Sequence, residues 1–388
     1  MVQICIIHPD IKAKGGAEFV FTNVLQALTE EHSLTVITER DVDADFFRDY
    51  YGITLNDFEV IQIKGGLKLF TEIFRRRITS DRIPDFNMFK KALFDRYASN
   101  RGQDFDLRFS TYNEYVLAPP SILYIHHPNY YPGTFPDSPE RDGFKRRLYD
   151  DFSRWVAGFD FDELADSRLL ANSEWTAERF ADHYGHRPEV LYPPVDTTGL
   201  DGLPWDDRED GFVAITRISP DKRVLDGIEI LDELRERGHD LHLHVVGSIT
   251  HEKYYEEVQA IAAERPYVTV EGELPREELT DLVGCHKYGL HTKPAEHFGI
   301  AVAELVAGGT VPFVPEEGGQ REIVSVDDLS WKSTAEAVDA IEAVVTDPYR
   351  QADLRARLPD VEERFGCDRF RDAIRDIVAE ELERTGEQ

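Results

Sequence analysis

The sequence predicts an α/β protein with two domains of similar size, each built around a parallel sheet with helices on its faces. The chain has 388 residues, which suits two domains of about 100–200 residues each. Strand-like and helix-like segments alternate along most of it, and this alternation is typical of parallel sheets. Near the middle, a strand-like run leads into Pro193-Pro194, a stiff connection that we interpret as the domain boundary.

The first domain is expected at residues 1–191. It begins with a strand, a helix and a second strand, which together form a β-α-β unit. Ser173 is expected to cap the last helix, and residues 129–139, rich in Tyr, Pro and Gly, to form a loop. In chain order the segments are the strand "VQICIIHP", the helix "GGAEFVFTNVLQALTEEH", the strands "SLTVIT", "FDLRFS" and "SILYIHH", helices within residues 144–161, the strand "LLANS" and the helix "SEWTAERFADHYG".

The second domain is expected at residues 192–365. A C-terminal helix over residues 366–388 is expected to pack back towards the first domain. In chain order the second series consists of the strand "GFVAITRI", the helix "VLDGIEILDELRERG", the strand "LHLHVVG", the helix "YYEEVQAIAAER", the strand "VTVEG", the helix "REELTDLVGC", the strand "YGLHTK", a helix after Gly299, the strand "VPFVP" and helical C-terminal segments.

The net charge of the chain predicts adaptation to high salt and excludes nucleic acid as a partner. The formal net charge is −31, with 75 acidic residues against 12 Lys and 32 Arg. At about 1 M salt the Debye length is near 3 Å, so such a surface repels itself little there. We therefore predict a protein adapted to high salt, from a halophilic archaeon, and no nucleic-acid partner, because nucleic-acid binding needs a positive surface.

Cysteine content and hydropathy place the protein in the cytoplasm. Three scattered cysteines form neither a disulfide framework nor a zinc motif. No apolar run approaches the roughly 20 residues that span a bilayer. The short apolar run at the N-terminus meets His8-Pro9 and predicts a strand, not a signal peptide.

One segment reverses the acidic pattern. Residues 64–101, from Lys64 to Arg101, contain ten Lys or Arg against four Asp or Glu, a net charge of +6. Large apolar side chains alternate with these basic residues. Such a segment can attach a protein to an anionic membrane surface. The alternative is a helical pair whose apolar face belongs to the core. We expect the membrane surface to be the partner, and a peripheral location on the inner face of the cell membrane.

Two loops could bind an anion. In "HPDIKAKGGAEFV" a strand ends and Gly15-Gly16 opens a helix, where glycine permits close approach and the helix start offers free amides. In "ITRISPDKR", Arg217 and Lys222 lie in a strand-to-helix loop and suit a phosphate or diphosphate. Solvated surface charge is the ordinary explanation for both basic residues.

The stretch "PAEHFGIAVAELVAGG" places two glutamates eight positions apart around a helix start. We expect the helix to begin near Phe298-Gly299 and to end at Gly308-Gly309. The amides from Phe298 to Ala301 would then point to the space between Glu296 and Glu304. An anion there would have backbone donors, with a carboxylate on each side to hold neutral hydroxyls. A nucleotide sugar, with one diphosphate between two polyols, is such a ligand. The alternative is a helix-start Glu296 favoured by the macrodipole and a solvent-facing Glu304. The spacing alone favours this alternative.

The same stretch resembles the signature of glycosyltransferase family 4, retaining enzymes with two Rossmann-like domains that face an interdomain cleft, the GT-B fold. That signature is a Glu, seven residues and a second Glu, which Glu296 and Glu304 satisfy. Further strings occur in the family's order over nearly the whole chain. They most resemble the mannosyltransferases that extend the dolichol-linked N-glycan precursor. These strings are "HPDIKAKGGAEFV", "YIHHP", "ANSEWT", "YPPVDT", "RISPDKR" and "GLHTKPAEHFGIAVAE".

The resemblance implies a role for each matching residue. Arg217 and Lys222 would neutralise the leaving diphosphate, Glu296 would hold hydroxyls of the transferred sugar, and Glu304 would bind the ribose. His126 matches the family's histidine near the sugar, although His127 follows it and leaves the contact open between the two. The remaining implied substrate contacts are Gly15 and Gly16 at the diphosphate and sugar, Leu274 at the nucleobase, and the backbone amides of Phe298, Gly299 and Ile300. His297 belongs to the pattern without a role that we can derive.

The implied reaction transfers a hexose, such as mannose, from a GDP- or UDP-sugar to a lipid-linked glycan acceptor. Cations and helix amides aimed at the diphosphate lower the barrier to its departure. Arg217 and Lys222 then make a metal ion unnecessary, so no cofactor is expected. The Asp-x-Asp pairs at Asp43/Asp45, Asp104/Asp106 and Asp160/Asp162 are of a kind that an acid-rich chain produces by chance. His242-x-His244 is more often structural than metal-binding.

Two other functions fit the same fold. A nucleotide-sugar epimerase would need acid-base carboxylates beyond Glu296 and Glu304. A non-catalytic nucleotide-sugar-binding protein would not need to retain Arg217 and Lys222 together with both glutamates.

Overall fold

The computed structural model describes residues 1–11, 15–39, 48, 58–62, 87–130 and 144–386. These residues divide into two compact units. One unit comprises Met1–Pro194 together with Asp368–Gln388, and the other comprises Val195–Cys367.

The first unit is a parallel sheet flanked by helices. Its strands are β1 (Gln3–Ile7), β2 (Ser33–Thr38), β3 (Glu59–Gln62), β4 (Leu107–Ser110), β5 (Ser121–Ile125), β6 (Arg168–Ala171) and β7 (Glu189–Val190). Its helices are α1 (Gly16–Leu28), α2 (Asn87–Arg101), α3 (Phe144–Ala157) and α4 (Glu174–Tyr184), with α13 (Cys367–Gly386) from the end of the chain.

The strand order in this sheet is β3-β2-β1-β4-β5-β6-β7, and every pairing is parallel. Side chains alternate between the faces of β1, as the period of two requires. Ile4 and Ile6 join a cluster with residues of α1 and α13. Cys5 and Ile7 join a second cluster, which includes Phe94 of α2. Both faces are therefore buried, which explains the continuous apolar run of β1.

Local chemistry sets the limits of α4. Ser173 precedes the helix in extended conformation, and its side chain accepts a hydrogen bond from the Thr176 amide at 3.0 Å. Gly185 follows with φ of +75°, a left-handed conformation that glycine adopts without steric cost. The predicted Ser173 cap is confirmed.

The second unit repeats the architecture. Its strands are β8 (Glu209–Ile215), β9 (His242–Val246), β10 (Val268–Gly272), β11 (His286–Leu290), β12 (Val311–Pro315) and β13 (Ser330–Trp331). Its helices are α5 (Val224–Glu236), α6 (Glu252–Ala263), α7 (Arg276–Cys285), α8 (Ile300–Ala307), α9 (Gln320–Val324), α10 (Thr334–Val345), α11 (Pro348–Arg357) and α12 (Val361–Phe365).

The second sheet has the order β10-β9-β8-β11-β12-β13, again wholly parallel. Renumbered within the unit this is 3-2-1-4-5-6, the order of a doubly wound fold. The order reverses between β8 and β11, so the loops that follow these two strands meet at the carboxyl edge. Ligands of open parallel sheets bind at this position.

The predicted pair of parallel sheets with flanking helices is confirmed. Two short strands, β3 and β13, and the helix α2 are additions to the predicted elements. Within the basic segment, residues 64–86 lie outside the described residues, as do residues 131–139 of the predicted loop. Residues 87–101 form α2, whose Phe94 is buried in the core as the alternative interpretation required. Among the described residues, no helix combines the length and apolarity that crossing a bilayer requires.

Candidate functional site

Three loops meet at the carboxyl edge of the second sheet. They follow β8, β11 and β12, which lie side by side. The first loop contains Arg217 and Lys222, the second contains Glu296, and the third contains Gly318 and Gly319. Sequence-distant residues therefore come together because their strands are neighbours. The predicted end of β8 at Ile215 is confirmed.

Glu296 lies between two lysines. Its Oε2 contacts Lys222 Nζ, and its Oε1 lies 3.6 Å from Lys293 Nζ. Only 15% of the Glu296 side chain is exposed, against 13% for Lys222 and 17% for Lys293. Thr292 supports the cluster by donating its hydroxyl to the Lys222 carbonyl at 2.8 Å. The structure thus brings together Glu296 and Lys222, two residues singled out from different sequence motifs.

The two lysines keep Glu296 ionised. Burial alone would raise the pKa of this carboxyl, but the charges of Lys222 and Lys293 outweigh burial and hold the pKa well below 4.5. The pKa of Lys293 is also lowered, from 10.5, because burial and the nearby Lys222 charge outweigh the opposing effect of Glu296. At neutral pH Glu296 is therefore a hydrogen-bond acceptor with two oxygens, suited to hydroxyl donors.

Asp221 connects the remaining cations. Its Oδ2 lies 3.9 Å from Arg217 and 3.9 Å from Lys293, while Ser219 donates its hydroxyl to Oδ1 at 2.6 Å. Burial raises the pKa of Asp221, but the Ser219 hydrogen bond and the surrounding cations lower it overall. Arg217 remains half exposed. The cluster formed by Arg217, Lys222, Lys293, Asp221 and Glu296 thus contains three cations and two carboxylates.

Backbone contacts fix the position of Glu296. Its carbonyl accepts from the Gly319 amide at 2.7 Å, and the Ala295 amide donates to the Glu317 carbonyl at 2.8 Å. A Cβ on Gly318 would lie 2.7–2.8 Å from Glu296 backbone atoms, and one on Gly319 would lie 2.1 Å from the His297 carbonyl oxygen. The loops after β11 and β12 therefore pack against each other without room for a side chain at either glycine.

The helix α8 begins where the sequence predicts. Gly299 is its N-cap, with φ of +100°, and the Gly299 carbonyl accepts from the amides of Val302 and Ala303. The first amides of a helix, here those of Ile300 and Ala301, have no acceptor inside the helix and favour an anion. Phe298 is buried and packs edge-on against Phe365, with ring centroids 5.3 Å apart. The predicted end is also confirmed, since α8 stops before Gly308-Gly309.

Glu304 is not solvent-facing, and that part of the alternative interpretation is wrong. Its Oε1 contacts Arg276 Nη1, and 16% of its side chain is exposed. Arg276 also donates from Nη2 to the Asp196 carbonyl at 2.6 Å. Burial raises the pKa of Glu304, and the Arg276 charge opposes this rise only in part.

Two histidines of the loop after β11, the buried His291 and the half-buried His297, are uncharged at neutral pH. Burial lowers the pKa of His291 and of His297 to about 4, although the nearby Glu296 charge acts in the opposite direction. His291 Nε2 lies 4.0 Å from Glu296 Oε2. Both rings are therefore neutral neighbours of the Glu296 cluster.

In the first unit, the predicted residues lie at the carboxyl edge of the sheet. Gly15 is the N-cap of α1 and accepts from the Phe19 amide at 3.1 Å, while Gly16 is the first helical residue. His126 and His127 follow β5, and both of their amides donate to Asn113 Oδ1, at 2.7 and 2.9 Å. His126 Nε2 lies 3.1 Å from the Thr111 carbonyl oxygen. The loop residues 12–14 lie outside the described residues.

Leu274 is half-buried and packs against an apolar cluster that includes Leu305 of α8.

The described Asp-x-Asp pairs have structural contacts within the first unit. Asp106 accepts from the Gln3 amide at 2.8 Å, and Asp160 accepts from the Asp162 amide at 3.0 Å. Asp43 and Asp45 lie outside the described residues.

Sequence reasoning overlooked Lys293, His291 and Arg276. Lys293 stands three positions before Glu296 in the quoted stretch, so a count of cations near that glutamate would have found it. His291 likewise lies in the strand-to-loop segment before Glu296. No comparable signal marks Arg276, because the packing of α7 against α8 brings it to Glu304.

Comparisons with known proteins find a matching family model, curated relatives and similar solved structures. Residues 201–360 match the family model "Glycosyl transferases group 1". A curated relative from Dictyostelium discoideum, named GDP-Man:Man(3)GlcNAc(2)-PP-Dol alpha-1,2-mannosyltransferase, is 24% identical over 226 residues, 52% of this chain and 45% of that protein. The Caenorhabditis elegans protein of the same name is 24% identical over 185 residues, 43% of this chain and 38% of that protein. The chain thus covers less than half the length of these relatives.

Solved structures show the fold. The crystal structure of HepE from Anabaena in complex with UDP and glucose has a TM-score of 0.66 at 15% identity, covering 98% of this chain and all of that one. WaaG, described as a glycosyltransferase involved in lipopolysaccharide biosynthesis, has a TM-score of 0.60 at 16% identity, covering 96% and 99%. With its two parallel sheets, the chain has the predicted GT-B fold.

Proposed function

We propose that this protein is a retaining glycosyltransferase, on the premise that residues 201–360 form a domain of the glycosyl transferases group 1 family. The single observation behind this proposal is the buried Glu296, whose ionised carboxylate lies between Lys222 and Lys293 beside the start of α8. One carboxylate for sugar hydroxyls, next to cations and helix amides for a diphosphate, fits a nucleoside-diphosphate sugar.

The proposed reaction depends on departure of the nucleoside diphosphate. Lys222 and Arg217 would neutralise the charge that develops on the leaving oxygen, and the first amides of α8 would donate to the same group. Glu296 would accept from sugar hydroxyls and so fix the ring. As the bond between the anomeric carbon and the diphosphate oxygen breaks, the acceptor hydroxyl would attack from the same face and pass its proton to the departing diphosphate oxygen, which retains the anomeric configuration.

Four further contacts belong to the proposal. Glu304, held by Arg276, would accept from the ribose hydroxyls, and Leu274 would lie at the base. In the first unit, Gly15 and Gly16 would approach the donor and His126 would approach the sugar.

Because the cations act on the diphosphate, we propose that transfer needs no divalent metal ion there, so that added Mg²⁺ or Mn²⁺ leaves the rate unchanged.

For the substrates we propose GDP-mannose as donor and a lipid-diphosphate-linked glycan as acceptor. The names of the curated relatives support this choice, since they specify GDP-Man and a dolichol-diphosphate acceptor. A UDP-sugar is the second donor to test, because HepE was crystallised with UDP. We propose an enzyme of a halophilic organism, on the basis of the net charge of −31, and a cytoplasmic location, on the basis of its three scattered cysteines.

A peripheral attachment to membrane lipid has support in the first unit. α3 exposes Leu148, Phe152 and Trp155, with 61%, 48% and 74% of each residue accessible. Their spacing of four and three places them on one helical face. Phe152 stacks with Phe89 of α2, ring centroids 5.7 Å apart, next to the basic segment 64–101. We propose that this apolar face enters the headgroup region while the basic residues meet anionic lipid.

The donor experiment combines binding with turnover. Melting temperatures are measured in 1 M KCl with GDP, UDP, GDP-mannose and UDP-glucose, and a ligand of the folded state raises the melting temperature by mass action. Transfer is then measured to a synthetic polyprenyl-diphosphate chitobiose that bears mannose, and the new anomeric centre is assigned by NMR. GDP-mannose should bind and give an α-linked product. Formation of a 2-epimer without transfer, or inversion at the anomeric carbon, would refute the proposal.

Membrane attachment is tested by flotation. The full chain is mixed with vesicles of anionic or zwitterionic lipid at working salt and centrifuged. We expect flotation with anionic vesicles, and a severalfold loss of it after Leu148→Ser with Trp155→Ser. Leu203→Ser, at an exposed apolar residue of the second unit, is the control. Absence of flotation for the unaltered chain would show that this face does not bind lipid.

A further inference from the structure

Three histidines of the second unit gather at the edge of the sheet opposite the candidate donor site. His242 is the first residue of β9, His286 is the first residue of β11, and His244 lies two positions along β9. Since both sheets are parallel, strand starts share one edge and strand ends the other. Arg217, Lys222 and Glu296 all follow strand ends. The histidine cluster therefore takes no part in the proposed transfer.

The three imidazoles face one another. His242 Nε2 and His286 Nε2 are 3.0 Å apart, and the ring centroids of His244 and His286 are 4.8 Å apart. One nitrogen from each of the three rings lies within 4.8 Å of the other two. A zinc ion about 2.0–2.1 Å from each nitrogen would separate the nitrogens by roughly 3.3–3.4 Å. Small side-chain rotations would bring the cluster to that geometry.

Neighbouring groups orient two of the rings. His244 Nδ1 lies 2.7 Å from Glu271 Oε1, and His286 Nδ1 lies 2.7 Å from the Leu282 carbonyl oxygen. Each contact engages one nitrogen and leaves the other for a ligand. A carboxylate or carbonyl behind the distal ring nitrogen is the usual support of a metal-binding histidine. Glu209, the first residue of β8, places Oε2 3.5 Å from His242 Nε2 and supplies a fourth candidate ligand.

A glycine makes the convergence possible. His242 pairs with Gly211 of β8, which lies between β9 and β11 in the sheet. A Cβ on Gly211 would lie 2.2 Å from His242 Nε2 and 2.5 Å from its Cε1. The His242 ring thus crosses over β8 in space that only glycine leaves open, and so reaches His286.

We propose that His242, His244 and His286, with Glu209 as fourth ligand, bind a transition-metal dication of the zinc class. Imidazole suits Zn²⁺, Ni²⁺ and Cu²⁺, and three imidazoles with one carboxylate give zinc its preferred four ligands. The ion would join the starts of β8, β9 and β11. It would stabilise the second sheet and leave the donor edge without a metal.

The test uses the full chain without a histidine tag, treated with chelator and returned to KCl buffer. Zn²⁺ is titrated in competition with a chromogenic chelator, and Co²⁺ replaces it for absorption spectroscopy. We expect one ion per chain, a visible cobalt spectrum of tetrahedral intensity and a melting temperature that rises with Zn²⁺. His242→Gln and His286→Gln should each abolish tight binding and the cobalt spectrum.

Matched variants separate ligand loss from misfolding. Glu271→Gln keeps all three histidines and should weaken Zn²⁺ binding by about 10–100-fold, as expected for a group that supports a ligand. Gly211→Ala should weaken it by displacing the His242 ring. The control is His239→Gln, at a histidine of the same unit that pairs with Glu342, and it should bind like the unaltered chain. Equal Zn²⁺ affinity in His239→Gln, His242→Gln and His286→Gln, or no stoichiometric binding by the unaltered chain, would overturn the proposal.

Discussion

Glu296 is a buried carboxylate whose charge depends on Lys222 and Lys293. Replacing it with Gln removes the charge at nearly constant shape and leaves the two lysines facing an amide. A hydrogen bond to a charged group contributes about 1.5–3 kcal/mol. We therefore expect Glu296→Gln to lower kcat/KM for sugar transfer by about 10–100-fold, measured with saturating acceptor and varied donor.

The control for this variant is Glu316→Gln. Glu316 is half exposed and pairs with Lys332 at 3.2 Å, so the same chemical change falls on a solvated ion pair in the adjacent loop. Its kcat/KM should match that of the unaltered protein. Equal losses in both variants would mean that Glu296 has no specific role in transfer.

The lowered pKa of His291 predicts how the free energy of unfolding responds to pH. Burial is the main cause that lowers its pKa from 6.5 to about 4; the surrounding charges are those of Glu296, Lys222 and Lys293. Between these two values the unfolded chain binds a proton that the folded chain does not, so the free energy of unfolding falls as the pH falls from 6.5 towards 4. Since one pKa unit corresponds to about 1.4 kcal/mol, this histidine accounts for a few kcal/mol at most.

His291→Gln should reduce that pH dependence. We expect the variant to lose less stability than the unaltered protein between pH 6.5 and pH 4, as measured by urea unfolding at constant KCl concentration. Other groups titrate in the same range, and comparing the two proteins cancels their common contribution. Parallel curves for the two proteins would contradict the assignment.

The loops that follow β11 and β12 depend on a glycine at position 319. Its backbone has φ of −65°, which alanine adopts freely, so any effect of Gly319→Ala comes from the Cβ alone. That atom would lie 2.1 Å from the His297 carbonyl oxygen and would push the loop of Glu296 away. We expect donor affinity to fall at least tenfold by calorimetric titration, because the cluster loses its geometry.

Gly102→Ala is the matched control, since the added Cβ would have ordinary contacts of 3.5 and 3.9 Å with Arg108 and Cys5. It should bind the donor normally. Donor affinity that is unchanged in Gly319→Ala would show that the loop accommodates a side chain.

At the level of elements, the hydrophobic pattern of the sequence predicted the strands that are buried on both faces. It did not predict the short strands at the edges of the sheets. β1 and β12 are continuous apolar runs, because helices cover both faces of each sheet. β3 begins with Glu59 and Val60, both exposed, at one edge of its sheet, and β13 has two residues. Neither is long enough to show a period of two, so pairing with a neighbouring strand defines them.

The candidate site likewise has features that the sequence predicts and features that depend on tertiary packing. The helix start at Gly299 follows from local sequence, since a glycine before a helix has a recognisable pattern. Spacing alone favoured an ordinary helix start for Glu296, and the family resemblance singled out Glu296 and Lys222 as site residues. The pairing of Glu304 with Arg276 does not follow from local sequence, because it depends on how two helices pack. The gathering of His286 with His242 and His244 depends on strand order and on the space at Gly211, neither of which a histidine count can supply.

For the whole molecule, net charge predicts a dependence on salt. The charge of −31 favours expansion of the chain, and raising KCl from 0.1 to 1 M shortens the Debye length from about 10 to about 3 Å. We expect the melting temperature to rise by several degrees over this range. Sucrose, which strengthens burial without screening charge, should give a smaller rise at equal osmolality. Insensitivity to KCl would contradict the high-salt prediction.

The last helix completes the core of the first unit. Phe370, Ile374, Ile377 and Val378 of α13 are buried in one cluster with residues of β1 and α1. Ile374→Ala should lower the free energy of unfolding of this unit by about 2–5 kcal/mol, measured by denaturant titration. Glu383→Ala, at an exposed position of the same helix, should change it by less than about 0.5 kcal/mol. Equal effects would mean that α13 contributes little to the core.

The return of α13 to the first unit also has a consequence for protein synthesis. A ribosome releases the N-terminal residues first, yet their hydrophobic core lacks Phe370 and Ile374 until α13 emerges. The second unit, by contrast, is contiguous in sequence and can complete its fold while translation continues. The second unit can therefore complete its core before the first unit does. Loss of α13 would leave the second unit whole and the core of the first unit without Phe370 and Ile374.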